Sequence, residues 1–183
     1  ERQELTIEAP IIFRNGPTGD AVGFGDVILG TKYRLLGEPA ADSGLSVSLE
    51  VKLPTGNDTR GLGSGATDVD LLSRWGWQFG PEVDYLNLGH TWVGERRGER
   101  LDNAWFYSGV WDHPVSHKLR LLAEVYGETA AEPGNPNQLA ATIGIKWWFH
   151  PTQQFHFSVG RSLREDTEGG PKLRLYTGWR RDF

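Results

Sequence analysis

Hydrophobic and polar residues alternate strictly between Leu45 and Leu53. The odd positions carry Leu45, Val47, Leu49, Val51 and Leu53, and the even positions carry Ser46, Ser48, Glu50 and Lys52. A period of two indicates a β-strand with one apolar and one polar face. The pattern leaves two orientations open. The apolar face is either the core of a soluble barrel or sandwich, or the lipid-facing side of a membrane barrel whose charges line the lumen.

Similar alternation predicts ten strands and no long helix. The predicted strands are Glu4–Arg14, Gly25–Leu36, Leu45–Leu53, Ala66–Phe79, Glu82–Val93, Asn103–His113, Lys118–Thr129, Gln138–His150, Gln154–Leu163 and Lys172–Phe183. A globular strand has about 5–6 residues, whereas a tilted membrane strand needs about 9–11. Strand length therefore favours a membrane barrel. The facing of Glu82–Val93 and Asn103–His113 stays open, because these two segments alternate less cleanly.

The predicted connections alternate in length. The short ones are Gly80–Pro81, Pro114–His117 and Pro151–Gln153, and the long polar ones are Asn15–Phe24, Thr55–Gly65, Gly94–Asp102, Ala130–Asn137 and Glu165–Pro171. The segment Gly37–Gly44 is an exception, because it is long where a short turn is expected. Short turns at one end and long loops at the other are typical of bacterial outer-membrane barrels, in which the short turns are periplasmic.

Aromatic residues concentrate near the ends of the predicted strands. The predicted girdle residues are Trp75, Trp77, Trp92, Trp105, Trp147, Phe149, Trp179 and Phe183. Amphipathic rings favour the two membrane interfaces, and ordinary core aromatics are the alternative. The last strand ends on an aromatic residue, as outer-membrane barrels typically do, although Arg181 interrupts its apolar face.

Composition narrows the class of protein. The chain has 183 residues, a net charge of -5 and no cysteine. We treat residues 1–183 as a single barrel domain. The negative charge does not indicate a nucleic-acid partner, and no apolar run approaches the roughly 20 residues of a membrane helix. The lack of cysteine excludes disulfides and thiolate metal sites.

Seven segments of the chain are informative in combination. They are "GFGDVILGTKYRLL" (Gly23–Leu36), "LSVSLEVKLPTGN" (Leu45–Asn57), "LGSGATDVDLLSRW" (Leu62–Trp75), "LNLGHTWVGE" (Leu86–Glu95), "DNAWFYSGV" (Asp102–Val110), "LLAEVYGETA" (Leu121–Ala130) and "VGRSL" (Val159–Leu163). Together they resemble a family of bacterial outer-membrane transporters associated with the phenol meta-degradation pathway. The resemblance implies an outer-membrane β-barrel and, more loosely, transport of hydrophobic or aromatic small molecules. Family members carry further strand-like sequence upstream, so we expect either ten strands here or twelve in an intact barrel.

Charged residues on the polar faces are the main candidate functional feature. The predicted lumen-lining residues are Lys32, Arg34, Glu50, Lys52, Asp68, Asp70, Arg74, Glu124, Glu128, Lys146 and Arg174. They either select or gate a solute, or form salt bridges that fill the barrel, because barrels of about eight strands are filled by side chains.

No catalytic arrangement is evident. None of the five histidines lies in a serine-nucleophile motif, and His113, His117 and His150 are better explained as interfacial residues than as a metal site. Asn57, Asp58, Asp68 and Asp70 have oxygen ligands that calcium accepts, but solvated acids are the simpler reading. The basic segment Gly94–Arg100 is predicted to contact lipopolysaccharide phosphates.

The sequence thus predicts a non-enzymatic outer-membrane β-barrel with no cofactor, which interacts with lipid, lipopolysaccharide and a small-molecule solute. The first hypothesis is a channel or transporter for small, hydrophobic or aromatic solutes. The second is a structural or accessory barrel with a blocked lumen, in contact with another envelope protein. The third is a soluble, lipocalin-like barrel that binds a ligand among inward-facing apolar residues.

Overall fold

The computed structural model describes residues 2–14, 20–38, 43–96, 98, 100–164 and 173–181. These residues form twelve strands, without an α-helix. The strands are β1 (Gln3–Glu8), β2 (Ile11–Arg14), β3 (Ala21–Phe24), β4 (Val27–Leu36), β5 (Gly44–Leu53), β6 (Asp68–Phe79), β7 (Glu82–Trp92), β8 (Ala104–Ser116), β9 (Leu119–Glu128), β10 (Gln138–His150), β11 (Gln153–Ser162) and β12 (Leu173–Arg181). A 3-10 turn spans Asp58–Arg60. Within these ranges, no helix has the length and apolarity to cross a membrane.

Ten strands form one antiparallel sheet in the order β1-β4-β5-β6-β7-β8-β9-β10-β11-β12, and β2 pairs with β3 separately. The prediction of an all-β, antiparallel, up-and-down arrangement is confirmed. The sheet is open, however, because β1 is hydrogen-bonded to β4 and β12 to β11, with no ladder between β1 and β12 among the described residues. The predicted closed barrel is therefore not what these ladders show.

The first predicted strand is wrong in its extent. Glu4–Arg14 is divided into β1 and β2 by Ala9 and Pro10. Proline has no backbone N–H to donate to a ladder, which makes it a natural point of interruption. The predicted loop Asn15–Phe24 contains the unpredicted strand β3, while residues 15–19 of that loop lie outside the described part of the chain.

The remaining strands agree with the predicted segments to within a few residues. Two-residue turns at positions 80–81, 117–118 and 151–152 join β6 to β7, β8 to β9 and β10 to β11. The longer β4–β5 connection lies at the same end, and the other long connections lie at the opposite end. Register shifts near three of these turns, between Arg34 and Leu36, Pro114 and Ser116, and Trp148 and His150, add local twist at this short-turn end.

The sheet curls so that its polar face is concave. Lys146 on β10 reaches Asp112 on β8, at 3.0 Å between Nζ and Oδ2, although β9 lies between these strands. Arg174 on β12 likewise hydrogen-bonds Tyr126 on β9. Contacts between strands this far apart are favoured on the inside of a curved sheet, where the side chains converge.

The opposite face is apolar and exposed. Ile143, Trp75 and Leu86 have exposed fractions of 64%, 57% and 52%. The apolar face is therefore the outer face of the curl, as the membrane reading of the alternation requires. This arrangement does not match the soluble alternative, in which the apolar face forms the core.

At the long-loop end, Asp26 joins the β3–β4 junction to the β5–β6 connection. Its carboxylate accepts hydrogen bonds from the backbone N–H of Gly56 at 2.9 Å and from the N–H and hydroxyl of Ser64, both at 2.7 Å. Burial favours a higher pKa for Asp26, but the hydrogen bonds from Ser64 and Gly56 and the positive charge of Lys52 together lower that pKa below its ordinary value. Leu62, with an exposed fraction of 2%, anchors the same loop.

Candidate functional site

The ladder register places every predicted lumen-lining residue on the concave polar face. Residues directly opposite one another in an antiparallel ladder share a face. Glu50 lies opposite Asp70, and Asp70 lies opposite Thr91. Thr91 lies opposite Ala104, which is on the same face of β8 as Phe106, and Phe106 lies opposite Glu128. The other ladder pairings place eight further predicted residues on this surface: Lys32, Arg34, Lys52, Asp68, Arg74, Glu124, Lys146 and Arg174.

Acidic residues predominate in the half of this surface near the long loops. This acidic zone contains Glu8, Glu50, Asp68, Asp70 and Glu128, with the cations Lys52 and Arg174. Lys52 forms an ion pair with Asp68, which also accepts a hydrogen bond of 2.9 Å from the Gly94 N–H. Asp70 accepts a hydrogen bond from the Thr91 hydroxyl. Side-chain hydrogen bonds and an ion pair thus connect neighbouring strands in this zone, and negative charge remains in excess.

Basic residues predominate in the half near the short turns. This basic zone contains Lys32, Arg34, Arg74, Arg120, Lys146 and Arg180, with the acids Glu4 and Asp112. The zone also includes His156, whose ring is 2.8 Å from the Gln154 side-chain oxygen. Charge therefore changes sign along the axis of the curled sheet.

Asp112 is the most buried charged residue of the basic zone. Its side chain has an exposed fraction of 3%, against 22% for Arg120 and 27% for Lys146. Arg120 Nε binds one carboxylate oxygen and Lys146 Nζ binds the other, while Arg120 Nη2 donates to the Asp112 carbonyl at 3.2 Å. Nearby, the Asn87 amide donates to the buried Ser108 hydroxyl at 2.8 Å. One carboxylate holds two cations, so this cluster keeps a net positive charge.

A recess of about 170 Å³ lies between the two zones. Its lining includes Val110, Leu122, Glu124, Gly144, Lys146 and Tyr176. Two features of its wall keep it open. Gly144 places no side chain in it, and Gly178 allows the neighbouring Tyr176 ring to lie against the wall, because a Cβ at Gly178 would be 2.6 Å from the tyrosine oxygen.

The sequence reasoning missed several residues of the polar face, most notably Asp112, Arg120, His156 and Arg180. Asp112 lies in a segment whose alternation is unclear, because its inward positions include the apolar residues Phe106 and Val110. Arg120 shares the even positions with the predicted Glu124, so the alternation itself could have identified it. The other two required only that the even positions of β11 and β12 be continued along each strand.

The predicted girdle residues lie on the apolar face, apart from Phe183, which is outside the described residues. Trp147, Phe155 and Trp179 stand directly opposite one another on three neighbouring strands near the short turns. Trp92 and Trp105 lie near the long loops and enclose the His90 ring at centroid distances of 4.6 and 4.3 Å. Trp75, Trp77 and Phe149 are on the same face near the short turns, with exposed fractions between 36% and 57%. Their contact with a lipid interface remains a prediction.

The histidines near the short turns do not converge on one site. The His113 ring stacks on Trp111 at 5.1 Å and its Nδ1 is 2.8 Å from the Glu82 carboxylate. His150 instead contacts Thr152. Within the described ranges, no group of three or more acidic or histidine side chains could hold a metal ion. Asn57, considered as a calcium ligand, caps the 3-10 turn through its side-chain oxygen, which accepts from the Arg60 N–H.

The segment Gly94–Arg100 is only partly described, because Arg97 and Glu99 lie outside the described residues. Its contact with lipopolysaccharide remains a prediction.

Comparison with known proteins identifies the family. Residues 3–175 match the family described as "Putative MetA-pathway of phenol degradation". The chain belongs to this family. Membership of the phenol-degradation family confirms the resemblance drawn from the sequence segments. No curated protein gave a significant match.

A solved structure has the same fold as this member of the phenol-degradation family. It is the crystal structure of an outer-membrane channel from Pseudomonas putida F1, with a TM-score of 0.71 and 19% sequence identity. The alignment covers 96% of this chain and 76% of the channel. At this identity the likeness concerns the fold.

Proposed function

We propose that the protein is an outer-membrane channel through which small solutes, hydrophobic or aromatic ones among them, diffuse. In this proposal the sheet closes into a β-barrel, its apolar face meets lipid, and the eleven predicted charged residues line the lumen. The observation that carries the proposal is the separation of the two faces, with exposed apolar side chains outside and hydrogen-bonded charges on the concave side. The mechanism needs neither a catalytic step nor a cofactor.

The exposed apolar face favours a location in a membrane. A soluble protein rarely exposes a continuous apolar surface of this kind, whereas lipid solvates it favourably. Unpaired backbone groups are costly in lipid, so the edges of β1 and β12 must be paired, with each other or with further strands. Arg180 on β12 acts electrostatically on Glu4 of β1, and this interaction supports an approach of the two edges.

The relatives support the same proposal. The family description refers to phenol degradation, and the similar structure is that of an outer-membrane channel. Together with the aromatic residues near both strand ends, they favour the outer membrane as the location and aromatic molecules as solutes. A second envelope protein as partner remains a prediction from the sequence.

A blocked lumen is the second candidate, and one observation favours it. The Arg174 guanidinium reaches across the concave face to the Tyr126 hydroxyl and, at 2.9 Å, to the Gln138 side-chain oxygen. Such long bridges narrow the space enclosed by the sheet. In this alternative the charged residues stabilise the barrel, and no solute passes.

Conductance in planar lipid bilayers distinguishes the two candidates. Heat-modifiable migration on a denaturing gel first establishes that the purified protein is folded as a barrel. Stepwise conductance in potassium chloride is the expected result. Folded protein that inserts without conductance would favour the blocked lumen, and protein that purifies without detergent from the soluble fraction would contradict both membrane candidates.

A further inference from the structure

The recess between the two charge zones has an ordered chemistry along the strands. Three successive rows of paired residues cross it: Glu124 with Thr142, Leu122 with Gly144, Ser158 and Tyr176, and Lys146 with His156. Residues two apart on a strand are separated by about 6.7 Å, so the outer rows are about 13 Å apart. The recess therefore has an acidic end, a largely apolar middle and a basic end.

The basic end can hold an anion. Lys146 has three N–H donors, and its ion pair with Asp112 is shared with Arg120. The charges of Lys146 and Arg180 also act on His156, so positive charge surrounds this end from β10 and β12 as well. A carboxylate here would receive charge-assisted hydrogen bonds and offset this excess of positive charge.

The recess as a whole has room for a single aromatic ring, and its middle supplies apolar contacts. An apolar cavity of about 150 Å³ suffices to bind benzene, and the recess has about 170 Å³. Val110, Leu122 and Tyr176 supply apolar and aromatic contact, and Gly144 leaves the wall flat.

The acidic end of the recess determines which substituent a bound aromatic ligand can carry opposite its carboxylate. An ionised Glu124 carboxylate only accepts hydrogen bonds, so it favours a donor and repels a second anion. A hydroxyl opposite the carboxylate of the ligand meets this requirement.

We propose that the recess binds a single-ring aromatic carboxylate that carries a hydrogen-bond donor at the opposite ring position. The carboxylate lies against Lys146, the ring contacts Leu122 and Tyr176, and the donor faces Glu124. The inference deepens the proposed function and rests on it, because it treats the polar face as a lumen open to solutes.

Ligand-observed NMR titrations of the full-length, detergent-folded protein test the site. The probe is 4-hydroxybenzoate, compared with benzoate, which lacks the donor, and with phenol, which lacks the carboxylate. We expect 4-hydroxybenzoate to bind most tightly. Lys146→Gln should weaken its binding about tenfold or more, since a charged hydrogen bond is lost, and should leave phenol binding nearly unchanged.

Two further variants serve as controls. Lys118→Gln removes the same charge from an exposed position in the β8–β9 turn, outside the recess, and should bind like the wild type. Lys146→Arg keeps the charge and should retain most of the affinity. Heat-modifiable migration shows that each variant is folded.

The outcomes separate this inference from the proposed function. Equal binding of the three probes, or an equal effect of Lys118→Gln and Lys146→Gln, would overturn the site even if the protein conducts ions. Selective, Lys146-dependent binding without conductance would support the site and count against the channel.

Discussion

Replacing Asp112 by alanine should destabilise the protein strongly, because Arg120 and Lys146 would lose the carboxylate they share. Breaking a buried ion pair from one side costs about 3–5 kcal/mol. The Asp112 side chain is 3% exposed, but the two cations keep exposed fractions of 22% and 27% and can turn toward water. Arg120 also retains the Asp112 carbonyl as acceptor. We therefore expect a loss near the lower limit, about 3 kcal/mol.

Urea unfolding of the protein in detergent micelles, followed by the fluorescence of its 8 tryptophans, measures this loss. Glu82→Gln is a control, since it removes the negative charge from the exposed His113–Glu82 pair, whose side chains are 35% and 36% exposed. Such exposed pairs contribute about 0–1 kcal/mol. Adding Lys146→Met to the Asp112→Ala variant should recover part of the stability, since it removes one unpaired cation. An Asp112→Ala variant no less stable than the Glu82→Gln control would refute the reasoning.

Two other predictions concern the loop and the wall. The lowered pKa of Asp26 means that its contribution to stability is present above its ordinary value of 3.8 and is lost as the pH falls through the lower folded-state value. Amide protection factors at Gly56 and Ser64, corrected for intrinsic exchange, should fall in that acidic range in the wild type, and protection unchanged below it would contradict the assignment. Gly144→Ala should destabilise by about 1–3 kcal/mol, because its Cβ would lie 2.8 Å from the Phe157 carbonyl oxygen and from Ser158 Cβ. Gly109→Ala, whose Cβ meets nothing within 4 Å, should be neutral or slightly stabilising in the same urea assay, and equal losses for the two variants would argue against a steric cause.

The sequence was most informative about properties that depend on a residue's position within its own strand. Alternation along Leu45–Leu53 assigns each side chain to one of two faces, because successive residues of a strand point to opposite sides. For the same reason, the eleven charged residues chosen from the sequence all lie on one face of the sheet. Proline at position 10 was a visible signal of a break in the first strand that the strand prediction did not use.

Ion-pair and hydrogen-bond partners on different strands could not be derived from the alternation of residues along each strand. Asp112 meets Lys146 across an intervening strand, which depends on ladder register and on the curvature of the sheet. The sequence pattern fixes neither quantity, since a shift of two residues preserves the faces and changes every neighbour. The recess beside Gly144 has the same origin, because it combines residues from β8 to β12.

The sequence by itself therefore determined most of the strands, their two faces and the sorting of turns, because these follow from the local periodicity and from the lengths of the segments between strands. The tertiary structure confirmed that the apolar face is the outer one. It alone decided that the charges divide into an acidic and a basic zone, and that no ladder joins β1 to β12 among the described residues. These properties depend on how the strands align and bend together. Curvature decides which face is enclosed, and register decides which charges meet.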